Sequence, residues 1–150
     1  MASTVFQGFY SALFAGLLET TPDLRAMVVM SAFTGEAEPE AINPADITTL
    51  DEWDALGYLE LDCASVTVTY DAASHRVYID FANGASDEFG DPVAPGSEVA
   101  YGLLLKLYVD GTDANDYVLG FTTDGFGINA ANGAVGLTLP ALGLMFVAEA

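Results

Sequence analysis

Asp110-Gly111-Thr112-Asp113-Ala114-Asn115-Asp116 puts four side-chain oxygen donors of the Asp/Asn type into seven residues, the hard-donor chemistry that Ca²⁺ takes. The stretch lacks the glycine at position six and the glutamate at position twelve of an EF-hand loop. Asp and Asn also build ordinary hairpin turns, so the sequence predicts a bare turn here rather than a metal site. His75 is the only histidine and sits beside Arg76, with no Ser or Cys nucleophile motif and no second histidine for a metal; it reads as a surface residue. Among 22 carboxylates some pair meets in any fold, so glycosidase-type pairing carries no signal. Gly125-Phe126-Gly127, followed by Asn129, Asn132 and Gly133, matches neither GxxxxGK[ST] nor GxGxxG, has no nearby lysine, and reads as a β-loop. Lys106, inside Leu103-Leu104-Leu105-Lys106-Leu107, is the oddest position. The expectation is a strand residue whose stem lies on the sheet and whose ammonium reaches solvent, with an ion pair to a partner's carboxylate as the alternative. Catalytic residues, cofactor and metal are therefore all expected to be none.

These residues need elements to hold them. Phe6, Phe9, Tyr10, Leu13, Phe14, Leu17 and Leu18 recur at spacings of three and four and predict an amphipathic helix. Thr21-Pro22-Asp23 forces a turn, and residues 24–31 read as a buried strand because Met27, Val28, Val29 and Met30 leave no polar face. Residues 35–44 are acidic and hold two prolines, which predicts a surface loop. Residues 46–55 suggest a short helical turn with Asp46 as cap and Trp53 as anchor, after which Gly57-Tyr58 opens an extended segment.

Val66, Val68 and Tyr70 alternate with Thr67 and Thr69, and beyond Asp71-Ala72-Ala73-Ser74 the residues Val77, Ile79 and Phe81 alternate with Arg76, Tyr78 and Asp80. This predicts a β-hairpin with a four-residue loop. Residues 82–96 read as a loop, 98–109 as a long buried strand, 117–121 as its return, and 136–147 as a last β segment. The fold class expected is mainly β: a single domain over residues 1–150, an antiparallel β-sandwich or barrel with one N-terminal amphipathic helix.

Composition sets the surface. The formal charge is −19, from 3 Lys+Arg against 22 Asp+Glu, yet 52% of residues are hydrophobic. So apolar a chain is not a disordered acidic tail. It predicts an apolar core under an anionic skin that repels nucleic acid, anionic lipid and its own copies unless salt screens it. At 150 residues the chain can bury roughly 70% of the surface its unfolded form exposes. The single Cys63 permits no intrachain disulfide and reads as a small buried thiol. The apolar segment 5–18 lacks a basic region before it, and no stretch reaches the ~18 uninterrupted apolar residues of a membrane span, so a soluble chain without an export signal is expected. Poverty in lysine with abundance of Asp also resembles proteins working in high salt. Phe6, Phe9, Tyr10, Phe14, Phe121 and Phe126 are mostly core by type, with part of this set expected to anchor a subunit or capsid interface.

From Leu24 onward the order of elements resembles a family of small tailed-bacteriophage virion proteins. The residues that carry the likeness are Arg25-Ala26-Met27-Val28-Val29-Met30-Ser31, the Gly57-Tyr58 pair, Val66-Thr67-Val68-Thr69-Tyr70-Asp71 continued by Arg76-Val77-Tyr78-Ile79-Asp80, and the buried strand with acidic turn over residues 101–113. Where that family often has a tryptophan before the long strand, this chain has Phe89. The resemblance implies a non-enzymatic virion component, a capsid decoration or cement protein on the outer face of the head. Its implied partners are the major capsid protein and the protein itself as a homo-oligomer, with no nucleic acid and no membrane. The charge agrees with an outer position, since packaged DNA would repel a −19 body. A tail or baseplate subunit, a Ca²⁺- or glycan-binding β-sandwich module, a carboxylate-pair hydrolase and an acidic DNA mimic are the competing readings.

Overall fold

Leu103-Leu104-Leu105 and Met27-Val28-Val29 give neither of their strands a polar face, so both need apolar cover on two sides. The computed structural model, which describes residues 3–18, 22–54, 56–73, 76–82, 90–93, 101–123 and 145–148, supplies that cover. In chain order the elements are β1 (Ser3–Val5), α1 (Gln7–Phe14), β2 (Leu24–Val29), β3 (Leu56–Tyr58), β4 (Leu61–Asp71), β5 (Arg76–Ala82), β6 (Gly90–Val93), β7 (Gly102–Leu107), β8 (Tyr117–Thr122) and β9 (Met145–Ala148). Seven strands form one antiparallel sheet in the order β1-β8-β7-β2-β4-β5-β9, and β3 pairs with β6 as a separate ribbon. The two end strands, β1 and β9, approach each other, so the sheet curls toward a barrel. The fold is thus mainly β and antiparallel with one short helix, as the alternating and fully apolar runs predict.

β2 and β7 lie side by side at the centre in continuous register from Leu24↔Leu107 to Val29↔Gly102. One face of this pair, Leu24, Ala26 and Val28 with Leu103, Leu105 and Leu107, meets Phe9 and Ala12 of α1 together with Leu61, Cys63, Ile79 and Leu119. The opposite face, Met27 and Val29 with Leu104, meets Phe33, Ala41 and Ile47 from the segment after β2, and Phe6, Val118 and Phe121. That acidic segment, expected as a plain surface loop, is a flap over the sheet. Glu38 fastens it: Oε1 accepts from Thr34 Oγ1 at 2.6 Å, and Oε2 accepts from the Thr48 amide at 2.9 Å and hydroxyl at 3.0 Å. Those bonds, the one from Thr34 first, hold the Glu38 carboxyl below its usual range.

Four local expectations need correction. α1 stops at Phe14 although the apolar period continues, because Gly16 takes a left-handed φ of +71° and turns the chain out of the helix. Asp46 does not cap a following helix; it closes a 3₁₀ turn, Pro44–Asp46, by accepting the Ile42 and Asn43 amides at 3.0 Å. Within the loop expected over 82–96, Gly90–Val93 is a strand, and Pro92 is tolerated there because among the described residues β6 pairs on one edge only, with β3. Asp71, expected as the first residue of the hairpin loop, is instead the last residue of β4, its Cα paired with that of Arg76. Residues 136–144 of the expected last strand lie outside the described residues.

Candidate functional site

Phe9 and Ala12 place one stripe of α1 in the core, and Gly8 lets the helix come down on β8: a Cβ there would run into the Val118 and Ile42 carbonyl oxygens. The other stripe is apolar as well. Tyr10, Leu13 and Phe14 of α1, with Leu17 in the turn that follows it, are 37%, 42%, 87% and 41% exposed and carry no charge between them. Ile42, whose carbonyl accepts the Val118 amide, is exposed as well. A helix apolar on both faces is the pattern of a buried helix, yet this one has core on only one side.

Of the aromatics expected at an interface, Phe6, Phe9 and Phe121 are core residues with at most 2% exposure. Phe121 stacks with Tyr101 and packs on Phe33, their ring centres 5.7 Å and 4.8 Å away. Tyr10 is on the surface, as is Phe14, and Phe126 lies outside the described residues, as do His75 and residues 125–133. Periodicity alone cannot say which stripe of an all-apolar helix faces inward, which is how Leu13 and Leu17 escaped the sequence reading.

Lys106 is not a surface residue with its ammonium in solvent. It is 3% exposed, with Nζ 2.6 Å from Glu60 Oε1 and 3.2 Å from Asp116 Oδ2. The ammonium is paired instead with two carboxylates of its own chain. Burial pulls its pKa down, but the Glu60 hydrogen bond and charge, then those of Asp116, outweigh burial and hold it above the ordinary lysine value. Glu52 also faces this group. Burial first, then repulsion from Glu60, push Glu52 up to about 7, against the opposing pull of Lys106 and of the Tyr58 hydroxyl. Tyr58 in turn accepts the Val28 amide at 2.9 Å, and burial raises its hydroxyl. A charged, doubly paired lysine is a poor nucleophile, so the cluster is built to hold charge rather than to attack a substrate.

Two carboxylates of the Asp110 to Asp116 turn, Asp110 and Asp116 through Oδ1, bond groups of the turn itself. Asp116, fully buried, accepts the Val109, Asp110 and Gly111 amides on Oδ1 at 2.8, 3.3 and 3.3 Å, and Asp110 accepts from Thr112 and Asn115. The Thr112 and Asn115 bonds hold Asp110 below its ordinary value. Among the described residues no three His, Cys, Asp or Glu side chains are grouped to hold a metal ion. A cleft of about 260 Å³ lies between Pro22, Asp23, Asp62, Cys63, Ser65 and Val66, beside a bulge in β4 where Ser65 has φ +53°. Its two aspartates are engaged by Arg25, at 3.1 Å and 4.0 Å, whose guanidinium also lies 4.3 Å over the Tyr108 ring.

Fold and site together define a mainly-β antiparallel protein with an outward apolar helix stripe. No family model, no curated protein and no solved structure matches the chain. Among the described residues no helix is long and apolar enough to cross a membrane.

Proposed function

We propose that this protein is a non-catalytic virion component, a capsid decoration protein that attaches to the outer face of a tailed-phage head through the exposed stripe of α1. The observation that carries the reading is the run Tyr10, Leu13, Phe14 and Leu17, four exposed apolar side chains within eight residues of a chain of net charge −19; Leu56, Leu59 and Val109 are exposed apolar residues elsewhere on the surface. The likeness of its element order to small tailed-phage virion proteins supports the choice of assembly.

Charge selects the partner. Of three cations, Lys106 is buried in its ion pairs and Arg25 is held by Asp23 and Asp62, so a second copy offers little to offset −19. The fitting occupant is a different protein with an apolar groove rimmed by Lys and Arg, the part assigned here to the major shell protein. Covering the stripe removes on the order of 300 Å² of apolar surface, about 7 kcal/mol gross. Association costs ~4–15 kcal/mol, so one helix alone binds weakly and a lattice of copies, each touching more than one shell subunit, holds by avidity.

The test is a purified virion whose genome carries this gene. The expected result is hundreds of copies per head, with a photo-crosslinker at position 14 coupling to the shell protein. Phe14→Ser should detach the protein while leaving its melting temperature within about 2 °C, since the side chain is 87% exposed. Six or twelve copies fractionating with tails, or absence from particles, overturns the proposal.

A further inference from the structure

β2 is flanked by β7 along its whole length, but on its other edge β4 reaches only from Leu24 to Ala26. Beyond Ala26 a short strap, Asp51-Glu52-Trp53, takes over that edge. Trp53 N–H donates to the Val28 carbonyl at 3.0 Å, Met30 N–H donates to the Asp51 carbonyl at 2.8 Å, and Glu52 bridges Val29. Asp51 holds a left-handed φ of +46° to make the approach. Trp53 closes the strap over the core, 3% exposed, with its ring centre 5.4 Å from that of Tyr58.

Glu52 sits in the middle of this strap, and its carboxyl feels the charges of Glu60 after β3, Lys106 of β7 and Asp113 of the β7–β8 turn, and the hydrogen bond of Tyr58 of β3. The one cation among them is already matched by Glu60 and Asp116. Counting Lys106 against those two leaves one negative charge before Glu52 or Asp113 is added. An ionised Glu52 therefore adds charge to a half-buried site that is already in anionic excess, whereas a protonated one adds none.

We infer that Glu52 is the catch of a pH-sensitive strap: with its carboxyl protonated, residues 51–53 close on the edge of β2, and with it ionised they loosen and give solvent access to Trp53. The step is loss of one proton to water, with no other bond made or broken. Its midpoint lies near 7, where burial and Glu60 set the Glu52 carboxyl. The strap is independent of where α1 attaches, so failure of one reading leaves the other standing.

Trp53 is the single tryptophan of the chain and reports the strap directly. Acrylamide, an uncharged quencher, is titrated against Trp53 fluorescence from pH 5 to pH 9 in about 1 M NaCl. The quenching constant is expected to rise at least about twofold through one transition near pH 7. Glu52→Gln removes the transition and keeps the low-pH value, with unchanged far-ultraviolet circular dichroism. Tyr58→Phe, which deletes a hydrogen bond favouring the ionised carboxyl, moves the midpoint upward in the otherwise natural chain. His75 titrates in the same range, so His75→Gln must leave the transition in place. Quenching that does not change with pH, a transition surviving in Glu52→Gln, or one lost in His75→Gln overturns the inference.

Discussion

Replacing Lys106 by Met is the sharpest test of how the sheet tolerates a charge at its centre. Methionine is unbranched and close to lysine in size, so the change is mainly in charge and little in volume. It strands Asp116, which is fully buried and has Lys106 as its one cation, while Glu60, 19% exposed, can turn toward water. Removing one member of a buried pair costs about 3–5 kcal/mol. The three amides on Asp116 Oδ1 still solvate the carboxylate, which places this case near ~3 kcal/mol. Asp116→Asn keeps an oxygen for those amides and leaves Lys106 with Glu60, so it should cost about 1–2 kcal/mol. In the double variant neither charge is left facing an empty site, and the loss should fall to ~1–2 kcal/mol, well short of the sum of the singles. Urea unfolding followed by Trp53 fluorescence at fixed NaCl measures all three, urea being uncharged and without effect on screening. A Lys106→Met loss under about 1 kcal/mol, or strict additivity in the double variant, refutes the reasoning.

Other outcomes follow from the same structure. Gly8→Ala should cost at least about 2 kcal/mol, because the Cβ meets two backbone carbonyl oxygens that cannot move aside, and calorimetry would detect it. The melting temperature should rise from low salt to about 1 M NaCl, since most of the 22 carboxylates are left with few cations and repel one another; a flat or falling midpoint removes the argument. Glu52, raised from 4.5 to about 7 in the folded chain, binds a proton that the unfolded chain has released between those values, so its contribution is full below pH 4.5 and is lost as pH rises to 7. The whole shift would be about 3 kcal/mol, which solvent on a partly exposed group reduces to about 1–2 kcal/mol. Glu52→Gln should flatten the stability profile over that interval by this amount, as urea midpoints at pH 5 and pH 7 would measure.

Local patterns carried the sheet into view. Met27-Val28-Val29 and Leu103-Leu104-Leu105 are legible as strands with cover on both sides because no spacing of polar residues offers them a wet face. The Thr/Val alternation of β4 fixes the hairpin for the same reason in reverse. β1 was not legible, since three residues beside a helix give no period, and β6 was hidden by Gly90 and Pro92, which a ribbon edge tolerates. At the site, the outward stripe could be read as apolar but not as outward. The ion pair at Lys106 was beyond reach: its partners are 46 residues before and 10 residues after it, and a carboxylate that will meet a lysine looks like every other. What made Lys106 visible was only its apolar neighbours.

All three basic residues lie in paired strands: Arg25 in β2, Arg76 at the start of β5 between Asp71 and Ala148, and Lys106 in β7. Trypsin, which cleaves after Lys and Arg, therefore has no target in any connecting segment of this chain. To enter a protease cleft the backbone must first leave its ladder, so digestion cannot begin with a nick in a loop. Resistance to trypsin then becomes a direct gauge of how often the sheet itself comes apart, free of the background that loop cutting adds in most proteins.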